Sequence, residues 1–189
     1  MDVRTRAIQK FTSPMTYEPY RALPEDGNRY QVIEGELHMI GAPRVNHQRI
    51  LHKLVTILDK YIAEGDWGEL FIAPIEVYLD EHNFLLPDLV CVAKARLDIV
   101  QDKGIVGAPD LVIEVLSPST VRVDRVLKMN TYARHQVPHY WIVDPAAQTL
   151  EAFEWENGAY RLIAAHAEAE DFQPALFSEL TIHLAELWK

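Results

Sequence analysis

PDLVIEVLSPST, residues 109–120, sets five aliphatic side chains around one embedded carboxylate, Glu114, and ends in a Ser-Pro-Ser-Thr cluster. Val, Ile and Leu on both sides of Glu114 suit a strand buried on both faces, and the hydroxyl cluster supplies helix-start chemistry. The reading is therefore strand at 110–116 followed by helix at 121–135, which Val137-Pro138 terminates before a second buried strand at 139–143. Glu114 is the anomaly in this pattern. An ionised group in an apolar strand costs several kcal/mol unless a metal or cation offsets it.

Upstream, LLPDLVCV at residues 85–92 forms a second apolar strand that Asp88 opens, directly after Pro87. Residues 69–79 are read as a further strand, joined to 86–93 through the turn Asp80-Glu81-His82-Asn83. In residues 47–61 the apolar positions Ile50, Leu51, Leu54, Val55, Ile57, Leu58 and Tyr61 recur at helical spacing, with Asn46 as the expected N-cap. A hairpin broken at Gly35 is expected over 30–40, and another around Asn157-Gly158, with strands at 150–155 and 159–164. Short helical segments are expected at 16–23, 94–100 and 180–188.

These elements predict one mixed α/β domain over 13–189, preceded by a loose leader at 1–12. Its central sheet would hold the strands near 70–79, 86–93, 110–116 and 139–143, with helices 47–62 and 120–135 packed on it. A chain of 189 residues with 49% apolar content supports a core of that size.

The formal charge is -10, and residues 144–189 hold nine acids against two bases, so bulk attraction for a polyanion is excluded. A local basic groove in the first three quarters of the chain is not. One cysteine, Cys91, rules out an internal disulfide framework and a Cys-based zinc cluster, and fits a reducing, cytoplasmic compartment. No stretch approaches the ~20 apolar residues of a membrane helix. The phosphate-cradling G-x-x-x-x-G-K-[ST] loop, the G-x-G-x-x-G fingerprint and the G-x-S-x-G elbow are all missing. His135 and His139 stand four apart, but Pro138 breaks the helix that would aim both at one metal.

Asp88 and Glu114, on neighbouring strands, would present hard oxygen ligands to one divalent ion, and such ligands favour Mg²⁺ or Mn²⁺ over zinc. The Val115 carbonyl would complete the protein's share of the shell. In the following helix Asp124, Lys128 and Tyr132 recur every four residues and line one face. That face would bring the Lys128 ammonium beside a metal-bound water, where it orients the nucleophile or offsets transition-state charge. The bland alternatives are a strand-end acid paired with a surface cation for each carboxylate, and an exposed Asp-Lys pair for Lys128. Asp110, after Pro109, competes with Asp88 as the first acid. On one strand it lies ~13 Å from Glu114, too far to share an ion, so Asp88 is preferred and Asp110 is read as structural.

Pro87-Asp88, a gap of 25 residues and Glu114-Val115-Leu116 resemble the P-D…(D/E)-x-K motif of the restriction-endonuclease-like superfamily, with Leu116 where a lysine is expected. The superfamily includes branches that supply this lysine from the next helix, where Lys128 stands. Lys128-x-x-x-Tyr132 is also similar to the Q-x-x-x-Y helix of RecB-type nucleases. As a set, YQVIEGELHMI (30–40), NHQRILHKL (46–54), LLPDLVCV, PDLVIEVLSPST and DRVLKMNTYARHQVPHYWIVDP (124–145) resemble the Uma-two family of endonuclease-like proteins, over residues 13–189.

That resemblance implies a restriction-endonuclease-like core with N-terminal and C-terminal hairpins, and a Mg²⁺- or Mn²⁺-dependent endonuclease releasing 5′-phosphate ends from DNA, with RNA left open. It implies Asp88 and Glu114 as metal ligands, Lys128 as catalytic cation and Glu34 as a further catalytic acid, with His47 and Tyr132 toward the substrate. Glu34 reads equally as a turn acid at the Gly35 bend, and His47 as a helix cap. Two rival classes stand beside the enzyme: a non-catalytic nucleic-acid or protein-binding module on the same fold, and an assembly subunit whose sheet edge pairs two chains into a homodimer.

Overall fold

Carbonyl-to-amide pairing between apolar strands builds two six-stranded sheets. The computed structural model describes residues 14–189, and the expected leader at 1–12 lies outside them. In chain order, helix α1 (Tyr17–Arg21) precedes the hairpin β1 (Arg29–Ile33) and β2 (Glu36–Ile40), and the long helix α2 (Val45–Glu64) follows. Strands β3 (Gly68–Ile72), β4 (Val77–Asp80), β5 (Asn83–Leu85) and β6 (Leu89–Ala93) come next. A 3₁₀ turn, Lys94–Ile99, leads to β7 (Val100–Gln101), β8 (Gly104–Val106) and β9 (Leu111–Val115). The chain then enters a π-wound turn, Val123–Lys128, that continues as α3 (Met129–Arg134), and strand β10 (His139–Asp144) follows. The hairpin β11 (Thr149–Glu156) and β12 (Ala159–Ala167) leads to β13 (Asp171–Phe172), β14 (Ile182–His183) and α4 (Leu184–Leu187).

One sheet runs β12-β11-β10-β9-β6-β3 and the other β2-β1-β5-β4-β8-β7. In the first sheet β9 lies parallel to β10 and antiparallel to β6, so the all-buried strand LVIEV is central. Its two faces serve different layers. Ile113 and Val115, with Leu89, Cys91, Trp141 and Val143, pack against Ile50, Leu54 and Leu58 of α2. Val112, Tyr140 and Ile142 face the other way, against Tyr132 of α3 and Ile33 and Leu85 of the second sheet. Glu114 shares that second face by the two-residue pleat.

The single strand expected over 69–79 is two strands, one in each sheet. Pro74 has no N–H to continue the ladder, and the Ala73 N–H before it is already bonded to the Asp88 carbonyl at 3.0 Å. The run 86–93 likewise splits, with Leu86-Pro87-Asp88 crossing from β5 in one sheet to β6 in the other. Helix α2 starts at Val45 rather than after Asn46, with Arg44 in extended conformation before it and no side-chain cap. The C-terminal helix expected at 180–188 is reduced to α4, because Ile182 and His183 pair with Phe172 and Asp171. Among the described residues no helix is long and apolar enough to cross a membrane.

Asp80, at the tip of the β4–β5 turn, ties the second sheet to the end of α3. Its carboxylate accepts from the His82 N–H at 2.7 Å, from Asn83 Nδ2 at 2.9 Å and from His135 Nε2 at 2.8 Å. Burial pushes the Asp80 pKa up, but these donors outweigh it and hold the group below the usual aspartate value. A depressed folded pKa gives stability that is present above the unfolded value and lost as pH falls through the folded one. Asp80→Asn should thus cost about 1 kcal/mol near pH 7, discounted for the partial exposure of the pair, and much less near pH 3. Urea melts at both pH values check it; an equal cost at both would refute the ionic account.

Candidate active site

Register brings the two sequence-distant carboxylates together. Strand β6 pairs with β9 through Leu89↔Ile113, Val90↔Val112 and Cys91↔Leu111. Continued by one residue, this antiparallel register sets Asp88 across from Glu114, and opposed residues project to the same face. Asp88 is then locked from the side, since its Oδ2 accepts the Val115 N–H at 2.8 Å. His47, in the first turn of α2, brings Nε2 to 3.1 Å from the same oxygen.

The ammonium arrives from the opposite layer. Lys128 Nζ donates to Glu114 Oε1 at 2.8 Å and to the Leu86 carbonyl at 3.3 Å, and lies 3.4 Å from Asp124 Oδ1. Tyr132 OH donates to Glu114 Oε1 at 3.4 Å. The side chains of Glu114, Asp124 and Lys128 are 3–5% exposed, against 19% for Asp88, so the cluster opens to solvent through Asp88. The π-wound turn explains why all three helix residues face inward. Four residues overshoot a regular α turn by about 40°, and the wider turn between Asp124 and Lys128 counters the drift that the α turn to Tyr132 adds.

Charge in this corner is unbalanced. Burial drives the Glu114 pKa well above the carboxylate range; Lys128 opposes the shift, and Asp124 and Asp88 add to it. Burial would discharge Lys128, but Glu114, Asp124 and Asp88 outweigh that effect and hold the ammonium charged. Burial also lowers the His47 pKa, yet Asp88, Asp124 and the Val115 carbonyl lift it above the ordinary histidine value. The Tyr132 phenol is held neutral by burial and by Glu114 and Asp124, so it acts as a donor.

Three carboxylates face one ammonium, and the two carried by the strand ends each keep an open oxygen. Among the described residues, Asp88 Oδ1 and Glu114 Oε2 accept no hydrogen bond, because the donors gather on Oδ2 and Oε1. The Val115 carbonyl lies on the same edge of β9 as its N–H, toward Asp88. This donor set fits Mg²⁺ or Mn²⁺. Among the described residues no group of three His, Cys, Asp or Glu side chains forms a ready cage.

The other residues singled out from sequence sit as follows. Glu34, in the β1–β2 turn at φ 56°, forks onto Arg134 and accepts from Thr131 Oγ1 at 3.3 Å, apart from the cluster. Tyr132 is fully buried behind Glu114, and His47 bonds Asp88. Asp110 is occupied by Arg96 at 2.8 Å and the Ala93 N–H at 2.8 Å. Leu116, where the motif lysine would stand, is buried beside Tyr132. A groove of about 730 Å³ lies elsewhere, between Tyr17, Tyr30 and Lys103, and touches the cluster only through Leu86. Sequence reading put Asp124 on the face of Lys128 and Tyr132 but gave it no role in the site; its place one helical turn before Lys128 was the signal.

The profile of a family described as "Putative restriction endonuclease", Uma2, matches residues 17–185. The chain belongs to the Uma2 family. Two uncharacterized proteins of Synechocystis, sll1609 and slr1290, are similar at 24% identity over 126 residues and 25% over 129. Each match covers 66% of this chain, with 71% of the first relative and 65% of the second. The fold is that of a solved structure described as a putative nuclease belonging to DUF820 from Anabaena variabilis. The two superpose with a TM-score of 0.76 at 21% identity, over 93% of this chain and 98% of that one. In this Uma2 chain the Asp88, Glu114 and Lys128 cluster stands at the strand ends of the first sheet.

Proposed function

We propose that this Uma2 protein is a divalent-metal-dependent phosphodiesterase that cleaves DNA. The observation that carries the reading is the meeting of Asp88 and Glu114 across β6 and β9, each with one open oxygen, under the Lys128 ammonium. Asp88, Glu114 and the Val115 carbonyl would hold Mg²⁺ or Mn²⁺. When bound, that ion polarises a phosphate oxygen and lowers the pKa of an attacking water.

The chain's own groups do the rest. Lys128 supplies positive charge where the pentacoordinate phosphorus gathers negative charge, and its low-exposure setting strengthens that interaction. His47 and the Val115 N–H fix the orientation of the Asp88 carboxylate through Oδ2, leaving Oδ1 without a donor. Tyr132 and Lys128 together hold Glu114 in one rotamer.

Incubation with supercoiled DNA, duplex and single-stranded oligonucleotides and RNA, in Mg²⁺ or Mn²⁺ and in chelator, tests the proposal. Metal-dependent cutting of DNA with 5′-phosphate ends is expected. Binding of DNA without cutting in either metal would replace the enzyme with a non-catalytic binding module.

A further inference from the structure

Lys128 does more than a catalytic cation needs to do. Its ammonium donates to Glu114 Oε1 at 2.8 Å and to the Leu86 carbonyl at 3.3 Å, and keeps Asp124 Oδ1 in ion-pair reach at 3.4 Å. It thus sits on the carboxylate that the hydrolytic reading assigns to the divalent ion. Two cations on one carboxylate repel, so an ion taking up Glu114 requires the ammonium to shift its weight to another anion. Asp124 is that anion. Its side chain is 4% exposed, and among the described residues Lys128 is the one group in ion-pair reach of its carboxylate. The backbone around it is specialised for the placement, since the π-wound turn spans Val123–Lys128 and the Tyr140 hydroxyl bonds the Asp124 carbonyl at 3.0 Å.

We infer that Asp124 is the positioning residue of Lys128, and that the ammonium passes from Glu114 to Asp124 when a divalent cation takes the Glu114 carboxylate. This rests on the hydrolytic reading above. Asp124 needs no contact with metal or substrate; it gives the displaced ammonium a buried partner and so keeps it beside the reacting phosphate. Without Asp124, the ammonium has one carboxylate left and competes with the incoming ion for it.

The test is a double-mutant cycle on Mn²⁺ affinity by calorimetry, using wild type, Asp124→Asn, Lys128→Gln and the double variant. Asp124→Asn should weaken Mn²⁺ binding about tenfold while Lys128 is present, and only about twofold in the Lys128→Gln background, where no ammonium needs a new partner. Lys128→Arg, which keeps the charge, should restore the tenfold effect. Equal weakening in all three backgrounds would overturn the inference, because Asp124 would then act as a ligand or as bulk negative charge. Melts of the same proteins in chelator address the anchoring separately: non-additive shifts are expected, and additive ones would overturn it. Wild-type protein that takes up no Mn²⁺ would remove the hydrolytic reading and the hand-over together. Mn²⁺ uptake with additive losses would remove the hand-over alone.

Discussion

Glu114→Gln is expected to lower metal-dependent cleavage by about 10³-fold or more, equivalent to roughly 4 kcal/mol of transition-state stabilisation. The substitution is isosteric and exchanges an anionic ligand for a neutral amide. The side chain remains beside Lys128 and Tyr132, and Lys128 retains Asp124, so no buried cation is abandoned. Stability in chelator should change by no more than about 1 kcal/mol, since the wild-type carboxylate is itself disfavoured by burial and by Asp124 and Asp88. The paired readout matters: a rate collapse with an unchanged melt locates the loss in chemistry rather than folding. Cutting within tenfold of wild type would remove Glu114 from the site and with it the shared-ion geometry.

The residues that carry this expectation were legible because each breaks a local rule. Glu114 interrupts an aliphatic run, Asp88 opens another, and Lys128 stands in an i,i+4 file with Asp124 and Tyr132. Charges placed where burial is expected signal either a partner or a ligand, and here they found each other. What the sequence does not encode locally is which strand lies beside which. Asp88 faces Glu114 because β6 runs antiparallel to β9 in one particular register, and that depends on packing of whole strands rather than on either motif. The same limit hid the division into two sheets. Residues 69–93 look like one hairpin, yet Pro74 and Pro87 each release the chain from its ladder and pass it between layers. Glu34 shows the reverse case. A family-implied acid next to Gly35 was a reasonable catalytic candidate, but its positive φ aims it at Arg134 on the exposed side of α3. Asp124 was placed on the Lys128 face but given no role, because a carboxylate one turn from a lysine is usually an exposed pair; the π-wound turn, invisible in composition, turns it inward.

Lys128→Met is expected to destabilise the metal-free protein by about 3–5 kcal/mol, the usual consequence of removing one partner of a buried ion pair while the other stays. For a chain of this length that corresponds to a fall in Tm of roughly 6–20 °C. Methionine has nearly the volume of the lysine stem, so the loss reports charge rather than a cavity. The direction with pH follows from the carboxylates left behind. Burial already raises the Glu114 pKa, with Asp124 and Asp88 adding to it, and Lys128 is the group that opposes the rise. Without the ammonium the folded pKa climbs further above the unfolded value, and a carboxylate with a raised folded pKa destabilises the fold most at high pH and least once protonated. The deficit should be largest near pH 8 and narrow as the solution is taken toward pH 5. Adding Glu114→Gln to Lys128→Met should recover at least half of the loss at pH 8, because one of the stranded charges is then gone. Urea melts of the two variants and wild type across that range settle the matter. A single variant that melts with wild type at pH 8, or a deficit that grows on acidification, would show that the buried contact between Lys128 and Glu114 contributes no net stability and that the charge imbalance argued for this corner is neutralised by other means.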